Sequence, residues 1–490
     1  MAGIPEGSNP FFRLSPAERS KASCFGLMRG ELAGRTDVNF WRLTPLFRHR
    51  FAKPSYPIVK LGNIVQLVQY GSSALASSEP KGVPMVRMNN LQNDGWDFTD
   101  LKYIELPGRE LETYRLQVDD ILFNRTNSKE LVGKCEVFRE PGDWVFASYL
   151  IRMQLAKGVS PQFVSDFLST SAGRLQIDRL SRQIIGMTNI NAEELRQIVV
   201  PLPSDERKQS EYVAAMDSAR AARRKKLSDA DALVAELDSY VLDPLGLSPP
   251  TNDSRKVYAV TRSSVIKEGR CDPGFHHPRY VELLRKFAAS AVPKQTLGAI
   301  SPEVVGGATP TKGSTELYFS KGIKFFRILN VKANEFDLSD LNFIRDEVHN
   351  GELKRSQLKE NDVLMTITGR VGNAAIVKND VLPANINQHI VRLRIQSSDV
   401  RPEYLAIFLN SSLGLALSNR AVTGGTRIAL DYGAIRAIQI PVSSTSIQDG
   451  IIAESRHRDE LARQLRDQAE SEWQAAKRDF ETQLLGMLQP

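Results

Sequence analysis

The sequence predicts two copies of one unit, each a mixed α+β globular domain of the α/β class followed by a long α-helix. Its 490 residues exceed what one core supports, because single hydrophobic cores stop growing at about 250–300 residues. Short motifs recur in the same order about 240 residues apart. Each copy also ends in a long glycine-poor segment whose apolar residues recur at intervals of three and four, as in an amphipathic helix. The sequence therefore predicts an internal repeat of one mixed α+β unit.

The composition is that of a globular protein without a membrane span. Hydrophobic residues make up 41% and charged residues 25%, and no apolar run approaches the roughly 18 residues that cross a bilayer. The first residues do not resemble a signal peptide, and the three cysteines are widely scattered, so we expect a reduced, cytoplasmic protein. The net charge of +7 permits a polyanionic partner without requiring one.

The repeat rests on nine ordered matches whose shift stays between 235 and 242 residues. The matches are 34–37 with 269–272, 61–64 with 297–300, 81–90 with 321–330, 120–122 with 362–364, 151–153 with 391–393, 167–168 with 408–409, 186–190 with 424–428, Pro201 with Pro441, and 245–247 with 485–487. Nine matches in one order with nearly constant spacing indicate a duplication.

Both copies follow the same internal plan. Short alternating apolar segments separated by turn residues predict a domain with several strands, and a long helical segment follows it. Two prolines, Pro249 and Pro250, mark the boundary between the copies, since they end a helix. The predicted segments are 1–55 (start of the first copy), 56–203 (first domain), 204–247 (first helix), 248–292 (linker and start of the second copy), 293–443 (second domain) and 444–490 (second helix).

Each long helix carries an apolar stripe. The stripes are Leu227, Ala230, Val234, Leu237 and Val241 in the first helix, and Ala469, Trp473, Ala476, Phe480 and Leu484 in the second. An ordinary amphipathic helix packed on a globular core is the alternative interpretation of such a stripe. However, both helices run for about 35 residues or more and occupy equivalent places, so burying the two stripes against each other is the simplest arrangement.

Two segments of the second copy are the most informative: LKENDVLMTITGRVGNAAIV at 358–377 and ANINQHIVRL at 384–393. Together with the repeat, they make the chain resemble the specificity subunits of type I restriction-modification systems from about Leu61 to Met487. In that family an apolar strand, a Thr-x-Thr-Gly turn and a second apolar strand recur in each target-recognition domain. The first copy departs from this pattern, because 119–133 carries an insertion and lacks the Thr-Gly turn.

The resemblance implies a DNA sequence-recognition subunit that is not itself an enzyme and that acts in phage defence. It implies two recognition domains at opposite ends of an antiparallel coiled coil, related by a pseudo-two-fold axis, each reading one half of a bipartite target. The implied partners are double-stranded DNA, two DNA methyltransferase subunits and, in a full system, a restriction (translocase) subunit, with no membrane. No cofactor is expected in this chain: S-adenosylmethionine, and ATP with Mg²⁺ where a restriction subunit is present, would bind the partner subunits.

Loops in which basic, amide and hydroxyl side chains are bunched are the candidate DNA contacts, because base edges and phosphates require such groups. In the first copy they are Arg87, Asn89, Asn90, Arg125, Thr126, Asn127, Ser128, Lys129, Arg182, Gln183, Thr188 and Asn189. In the second copy they are Arg327, Asn330, Thr366, Thr368, Gly369, Arg370, Asn387, Gln388, His389, Thr423, Thr426 and Arg427. The alternative for each loop is a solvated turn whose side chains bond their own backbone.

Two arginine positions are shared by the two copies: Arg87 with Arg327, and Arg152 with Arg392. We expect these arginines to contact phosphates or to be structural, because the two domains should read different bases. Catalytic and metal sites are not predicted, since the sequence has no methyltransferase Asn/Asp-Pro-Pro-aromatic loop, phosphate loop, zinc-ligand cluster or nucleophile elbow. Two alternatives stay open: a DNA reader of a related phage-defence system that modifies without cutting, and a tandem-repeat scaffold that binds only proteins.

Overall fold

The computed structural model describes residues 37–92, 95–184, 187–249, 255–310, 321–424 and 428–486. The chain divides into two compact units: unit 1 is Met1–Leu227 with Asp467–Pro490, and unit 2 is Ser228–Arg466. The unit boundaries therefore fall inside the long helices and not at the predicted boundary between the copies near residue 248.

The first copy contains one long helix and a series of short elements. They are α1 (Val38–Arg50), β1 (Ile58–Lys60), α2 (Leu61–Ile64), β2 (Val65–Tyr70), β3 (Val83–Val86), β4 (Lys102–Ile104), α3 (Gly108–Tyr114), β5 (Ile121–Asn124), β6 (Thr126–Asn127), β7 (Cys135–Val137), β8 (Val145–Phe146), β9 (Leu150–Leu155), α4 (Pro161–Ser169), α5 (Ser171–Leu180), β10 (Arg182–Ile184), β11 (Met187–Asn189), α6 (Ala192–Arg196), β12 (Val199–Pro201) and α7 (Glu206–Leu242).

The second copy repeats most of this order. Its elements are α8 (Arg262–Glu268), α9 (Pro278–Ala289), β13 (Lys294–Thr296), α10 (Leu297–Ile300), β14 (Val304–Gly306), β15 (Ile323–Phe326), β16 (Asn342–Ile344), α11 (Asp346–Asn350), β17 (Val363–Thr366), β18 (Ala374–Ile376), β19 (Ala384–Ile386), β20 (Ile390–Leu393), α12 (Pro402–Asn410), α13 (Ser412–Ala421), α14 (Tyr432–Ala437), β21 (Gln439–Pro441) and α15 (Thr445–Leu485). None of the described helices is both long and apolar enough to span a membrane.

The sheets have the same strand order in the two units. Unit 1 contains β1-β12, β2-β9-β5-β7 and β4-β3-β8, and unit 2 contains β13-β21, β14-β20-β17-β18 and β16-β15-β19. In both units the pairs are antiparallel except one, β3 with β8 or β15 with β19, which is parallel. Unit 1 has an additional small sheet, β10-β11-β6. The mixed α/β class predicted from the sequence is thus confirmed, and each unit holds one set of the repeated sheets.

The four-stranded sheet of each unit is covered on both faces, which explains why the first three residues of its strand β5 or β17 are all apolar. In β5, Ile121 and Phe123 pack in a cluster with Phe167 of α4, whereas Leu122 packs in a cluster with Phe146 of the three-stranded sheet. Successive side chains of a strand point to opposite faces, so both faces need apolar residues. Strand β17 is arranged in the same way in unit 2.

The segment 248–292, predicted as a linker and the start of the second copy, contains two helices. Helix α9 contacts α13 in unit 2, just as α1 contacts α5 in unit 1. In the two units an arginine of the second of these helices lies over an aromatic ring: Arg179 over Phe40 at 4.5 Å and Arg420 over Phe275 at 3.6 Å. Phe40 and Phe275, which the shift of 235 residues aligns, therefore make the same contact. The matched residues Gly34, Arg35 and Thr36 lie outside the described residues, as do Gly186, Pro250 and Met487.

The long helices contain 37 and 41 residues and lie antiparallel where they meet within each unit. In unit 1, the rings of Tyr212 and Phe480 are 5.6 Å apart, and an ion pair of 3.3 Å joins Arg223 to Glu470. In unit 2, ion pairs join Arg466 to Asp231 at 2.9 Å and Arg458 to Glu236 at 3.0 Å. Within each unit, the residue numbers rise along one helix as they fall along the other.

Seven of the ten predicted stripe residues are buried, Leu227 and Ala476 are half-buried, and Val234 is exposed. Ala230, Leu237 and Val241 of α7 are buried, as are Ala469, Trp473, Phe480 and Leu484 of α15. The prediction for Val234 was wrong, because its side chain is 40% exposed while Leu233 is half-buried. Leu237 lies seven positions after Ala230, so a residue three or four positions after Ala230 satisfies the helical spacing equally well.

The end of each long helix packs on the domain of the other copy. In unit 1, Glu481 of α15 accepts hydrogen bonds at the first turn of α5, from Ser171 Oγ at 2.8 Å and from the Ala172 amide at 2.9 Å. In unit 2, Asp238 of α7 accepts from the Ser412 amide and hydroxyl of α13 at 2.7 and 2.6 Å. A carboxylate stabilises a helix N-terminus by satisfying its free N–H groups. The two copies thus exchange helix ends.

Candidate nucleic-acid interface

In unit 1, the small sheet β10-β11-β6 brings two of the predicted loops together. Asn127 of β6 is paired with Thr188 of β11, and Thr126 is paired with Asn189. The Asn189 side-chain amide donates to Thr126 Oγ1 at 2.6 Å. Gln183 on β10 extends the same sheet and is exposed. Loops about 60 residues apart in sequence therefore form one surface.

Aromatic and aliphatic side chains complete this surface. The Arg125 guanidinium lies 4.8 Å from the Tyr70 ring centre, and the Arg125 amide donates to the carbonyl of Tyr149 at 3.0 Å. Tyr70, Tyr149 and Met187 are all exposed. We call this set surface 1, and it consists of Tyr70, Arg125, Asn127, Ser128, Lys129, Tyr149, Gln183 and Met187. Arg182, also predicted, is exposed and pairs with Glu194 at 2.6 Å.

In unit 2, three predicted loops converge in a comparable way. Ala429 is bridged to both Thr368 and Thr423, and Thr368 Oγ1 lies 2.8 Å from His389 Nδ1. Gln388 is exposed next to His389. We call this set surface 2, and it consists of Thr368, Gly369, Arg370, Gln388, His389, Thr423 and Ile428. Thr426 and Arg427, which the sequence analysis also selected, lie outside the described residues.

The central loop differs in length between the copies but is closed in the same way. Between β5 and β7, residues 125–133 form a nine-residue loop closed by Asn124 N to Lys134 O at 2.8 Å and Gly133 N to Asn124 O at 2.9 Å. Between β17 and β18, residues 367–372 form a six-residue loop closed by Thr366 N to Asn373 O and Gly372 N to Thr366 O, both 2.9 Å. The insertion predicted in the first copy is therefore three residues long.

Glycine is required where these loops close. Gly133 has φ +91° and Gly372 has φ +99°, conformations that L side chains rarely adopt. Arg174 of α5, which the sequence analysis missed, donates to the carbonyls of Lys129 and Val132 and so braces the longer loop. The loops are thus built into their domains rather than left as free turns.

Two predicted contact residues, Asn90 and Asn330, are structural instead. They are 1% and 2% exposed, and each side chain makes three hydrogen bonds within its own turn. Asn90 accepts from the Arg87 amide at 2.9 Å and donates to the carbonyls of Asp97 and Asp100 at 2.9 and 3.1 Å. Asn330 makes the equivalent bonds at 2.9, 2.9 and 3.0 Å. Both N–H donors of each amide are used, and burial keeps the side chains away from a base edge.

The shared arginines bond to residues of their own domains. Arg87 and Arg327 each form an ion pair of 2.9 Å, with Asp100 and Asp340 respectively. Arg152 and Arg392 are buried, which supports the structural interpretation and contradicts a phosphate contact. Burial lowers the pKa of both guanidinium groups and, beside Arg152, raises the pKa of Asp120.

Four further predicted residues are buried beneath the two surfaces. They are Thr126, Thr188, Thr366 and Asn387. Thr366 Oγ1 donates to the Arg370 carbonyl inside the shorter loop, and Asn387 Oδ1 accepts from the His389 amide at 3.1 Å. These residues shape the loops on which the exposed side chains stand.

The residues that the sequence analysis missed on the two surfaces have large hydrophobic side chains. They are Tyr70, Tyr149 and Met187 of surface 1 and Ile428 of surface 2, and Leu329, also missed, is a further exposed hydrophobic residue. A search for bunched polar residues passes over them. The signal that could have found Leu329 is its alignment with Asn89, which the repeat places in the same turn. Among the described residues, no group of three or more His, Cys, Asp or Glu side chains could hold a metal ion.

Residues 298–455 match the family model described as the type I restriction modification DNA specificity domain. Part of the second copy is therefore similar to the DNA specificity domain of type I restriction-modification systems. Among the curated proteins similar to this chain, the MjaX type I restriction enzyme specificity subunit of Methanocaldococcus jannaschii is 23% identical over 190 residues, 38% of this chain and 42% of that protein. The EcoKI specificity subunit of Escherichia coli strain K12 is 26% identical over 157 residues, 31% of this chain and 34% of that protein.

The chain thus spans less than half the length of these curated relatives. A solved chain from a study of complex assembly and conformational transition of the type I R-M system has 14% sequence identity and a TM-score of 0.47, covering 88% of this chain and 98% of that chain.

Proposed function

We propose that this chain is the DNA sequence-recognition subunit of a type I-like restriction-modification complex and that each copy reads one half of a bipartite target. The observation that carries the proposal is the convergence of separate polar loops onto one surface in each unit. The specificity-domain match over residues 298–455 supports it, because this match contains the residues of surface 2.

The chemistry of the two surfaces suits a base-reading role. Amides and hydroxyls such as Asn127, Gln183 and Gln388 can bond base edges, while Lys129 and Arg370 can pair with phosphates. The exposed apolar residues offer contacts to thymine methyl groups. The two surfaces differ in loop length and in side chains, so they suit different half-sites.

The proposal includes the antiparallel coiled coil and the pseudo-two-fold relation of the copies. The antiparallel ion pairs found separately in unit 1 and unit 2 support the first, and the equal strand orders support the second. At about 1.5 Å per residue, a helix of 37 residues is about 55 Å long, more than one turn of B-DNA at about 34 Å. A target of two half-sites separated by an unread spacer fits these lengths.

In this proposal the chain has no catalytic role and binds no cofactor. Two DNA methyltransferase subunits dock on the helices and carry S-adenosylmethionine, and a restriction subunit, where one is present, carries ATP and Mg²⁺. The complex then acts on DNA in the cytoplasm.

Methylome sequencing of cells that express the chain with the modification subunits encoded beside it tests the proposal. We expect a bipartite methylated motif with an unread spacer. The double variant Asn127→Ala with Lys129→Ala should degenerate only one half of the motif, and Thr368→Ala with Arg370→Ala only the other, because a lost base contact costs about 1–3 kcal/mol at its own base pair. A continuous motif, or loss of the same half in both variants, would overturn the proposal, and a scaffold that binds only proteins would give no motif.

A further inference from the structure

The turn that follows the first strand of the three-stranded sheet is held by the same hydrogen bonds in the two copies. Residues Met88–Asn90 and Ile328–Asn330 each form a single 3-10 turn. Each turn is held by the buried asparagine described above, with its three hydrogen bonds. The preceding arginine also donates to the carbonyl of Asp100 at 3.0 Å or Asp340 at 2.8 Å.

Each turn presents one exposed residue, and this residue differs between the copies. Asn89 is exposed in the first copy, and Leu329 is 56% exposed in the second. A single exposed leucine is ordinary on a protein surface. Here, however, it stands at the centre of a framework whose arginine and asparagine occupy the same positions and make the same hydrogen bonds in the two copies. The framework fixes the backbone, and the exposed side chain of the turn differs between the copies.

The turns lie against the recognition loops. In unit 2, a Cβ atom placed on Gly369 of surface 2 would stand 3.3 Å from Ile328 Cδ1. In unit 1, Asn127 Nδ2 of surface 1 lies 3.4 Å from Met88 Sδ. The residue before Asn89 or Leu329 therefore contacts the central loop in both copies, and the exposed residue borders the surface proposed to meet DNA.

We infer that positions 89 and 329 are equivalent base-reading positions, that Asn89 recognises adenine and that Leu329 recognises the methyl group of thymine. This inference rests on the proposed function. An asparagine amide offers a donor and an acceptor that match adenine N6 and N7 in the major groove. Leucine has neither, so its apolar contact in that groove is the thymine C5 methyl group.

Exchange of the two side chains is the first test. In cells that express the chain with its modification subunits, Leu329→Asn should degenerate one A·T position in one half of the methylated motif. Asn89→Leu should degenerate one A·T position in the other half. The control is Val281→Ala, because Val281 lies on α9 of unit 2, is 48% exposed and is outside surface 2. Thermal unfolding should be unchanged in both exchange variants, which excludes misfolding as the cause.

Binding to uracil-substituted duplexes is the second test. The probe is a duplex that carries the motif of the wild-type complex, in which single thymines are replaced by uracil, which lacks the methyl group. One uracil in the half-site of the second copy should weaken binding by the wild-type complex about fourfold, the value of one buried methyl group. The same uracil should leave binding by a complex containing Leu329→Ala unchanged.

The inference is overturned if the wild-type motif is bipartite but both exchange variants leave it unchanged. It is also overturned if every uracil in the half-site of the second copy affects the wild-type complex and the Leu329→Ala complex equally, or if that half-site contains no A·T pair. Failure of the proposed function looks different, because the wild-type complex itself would then give no bipartite motif.

Discussion

Asn89 and Asn90 are neighbours in one turn, but Asn89 is exposed and Asn90 is buried. Mutating each of them separates the role of the exposed side chain from that of the structural one. Asn90→Ala should lower the free energy of unfolding by about 1–3 kcal/mol, because it leaves the Arg87 amide and two carbonyls without their partner. Asn89→Ala, one position earlier and exposed, should change it by less than about 0.5 kcal/mol. Chemical denaturation of the full chain measures both. Equal losses in the two variants would contradict the assignment of Asn90 to the framework.

A second residue makes stability depend on pH. Burial raises the pKa of Asp166 in α4 to about 6, although Arg220 of α7 donates to its carboxylate. The folded state therefore binds more protons than the unfolded state between about pH 4 and pH 6. As the pH rises through this window, ionisation of Asp166 should lower the free energy of unfolding by at most about 1.4 kcal/mol per pH unit.

Urea unfolding of the wild-type chain and of Asp166→Asn at several pH values between 4 and 7 isolates this contribution, since the other titrating groups are common to both proteins. We expect the wild type to lose stability relative to the variant as the pH rises. A difference that stays constant with pH would show that the carboxylate keeps an ordinary pKa.

At this scale the sequence predicted the loops but not the role of each residue within them. Thr366 and Thr368 are two positions apart and equally polar, yet Thr366 is buried at a strand end while Thr368 is partly exposed beside His389. Alternation along the chain does not separate residues two positions apart, so only the closure of the loop decides which of them faces solvent. Apolar members of the surfaces were missed because their exposure depends on tertiary packing.

At the scale of elements, the stripe of α7 gives a matched pair of substitutions. Leu237→Asp should lower stability by about 2–5 kcal/mol, because Leu237 is 7% exposed and the variant loses apolar burial and places a carboxylate in the core. Val234→Asp, on the same helix, introduces the same side chain at a position that is 40% exposed and should have little effect. Thermal unfolding of the two variants is the measurement. Similar melting temperatures for both would mean that the stripe is not centred on Leu237.

Periodicity predicted the long helices well, because a helix is the regular structure in which apolar residues three or four positions apart share one face. It could not choose between Leu233 and Val234, and it gave no sign of α8 and α9 in the segment 248–292. The strand orders were also beyond the sequence. They depend on pairs such as β2 with β9, which lie about 80 residues apart and are selected by packing in the folded domain.

At the scale of the whole chain, the exchange of helix ends changes what a truncation should do. Removal of residues 467–490 takes Trp473, Phe480 and Leu484 out of the core of unit 1 and removes Glu481 from the first turn of α5. The deletion should therefore destabilise the first copy, although it removes the end of the second. Unit 2, Ser228–Arg466, keeps all its residues.

Limited proteolysis followed by mass spectrometry tests this expectation. In the truncated chain, cleavage should concentrate between residues 37 and 227, while 255–466 should stay as protected as in the full-length chain. Preferential cleavage within 255–466 would contradict the division into units.

The same exchange bears on how the protein is made. About 240 residues separate Leu227 from Asp467, and a ribosome adding about 5–20 residues per second needs roughly 12 to 48 seconds to produce them. Throughout this interval the first domain is incomplete. The side of its core that Trp473 and Phe480 later cover stays accessible to chaperones and proteases. Unit 2, being continuous, has its whole sequence available first. The copy that is translated first is therefore the last to be completed, and a pause in translating the second half prolongs the exposure of the first.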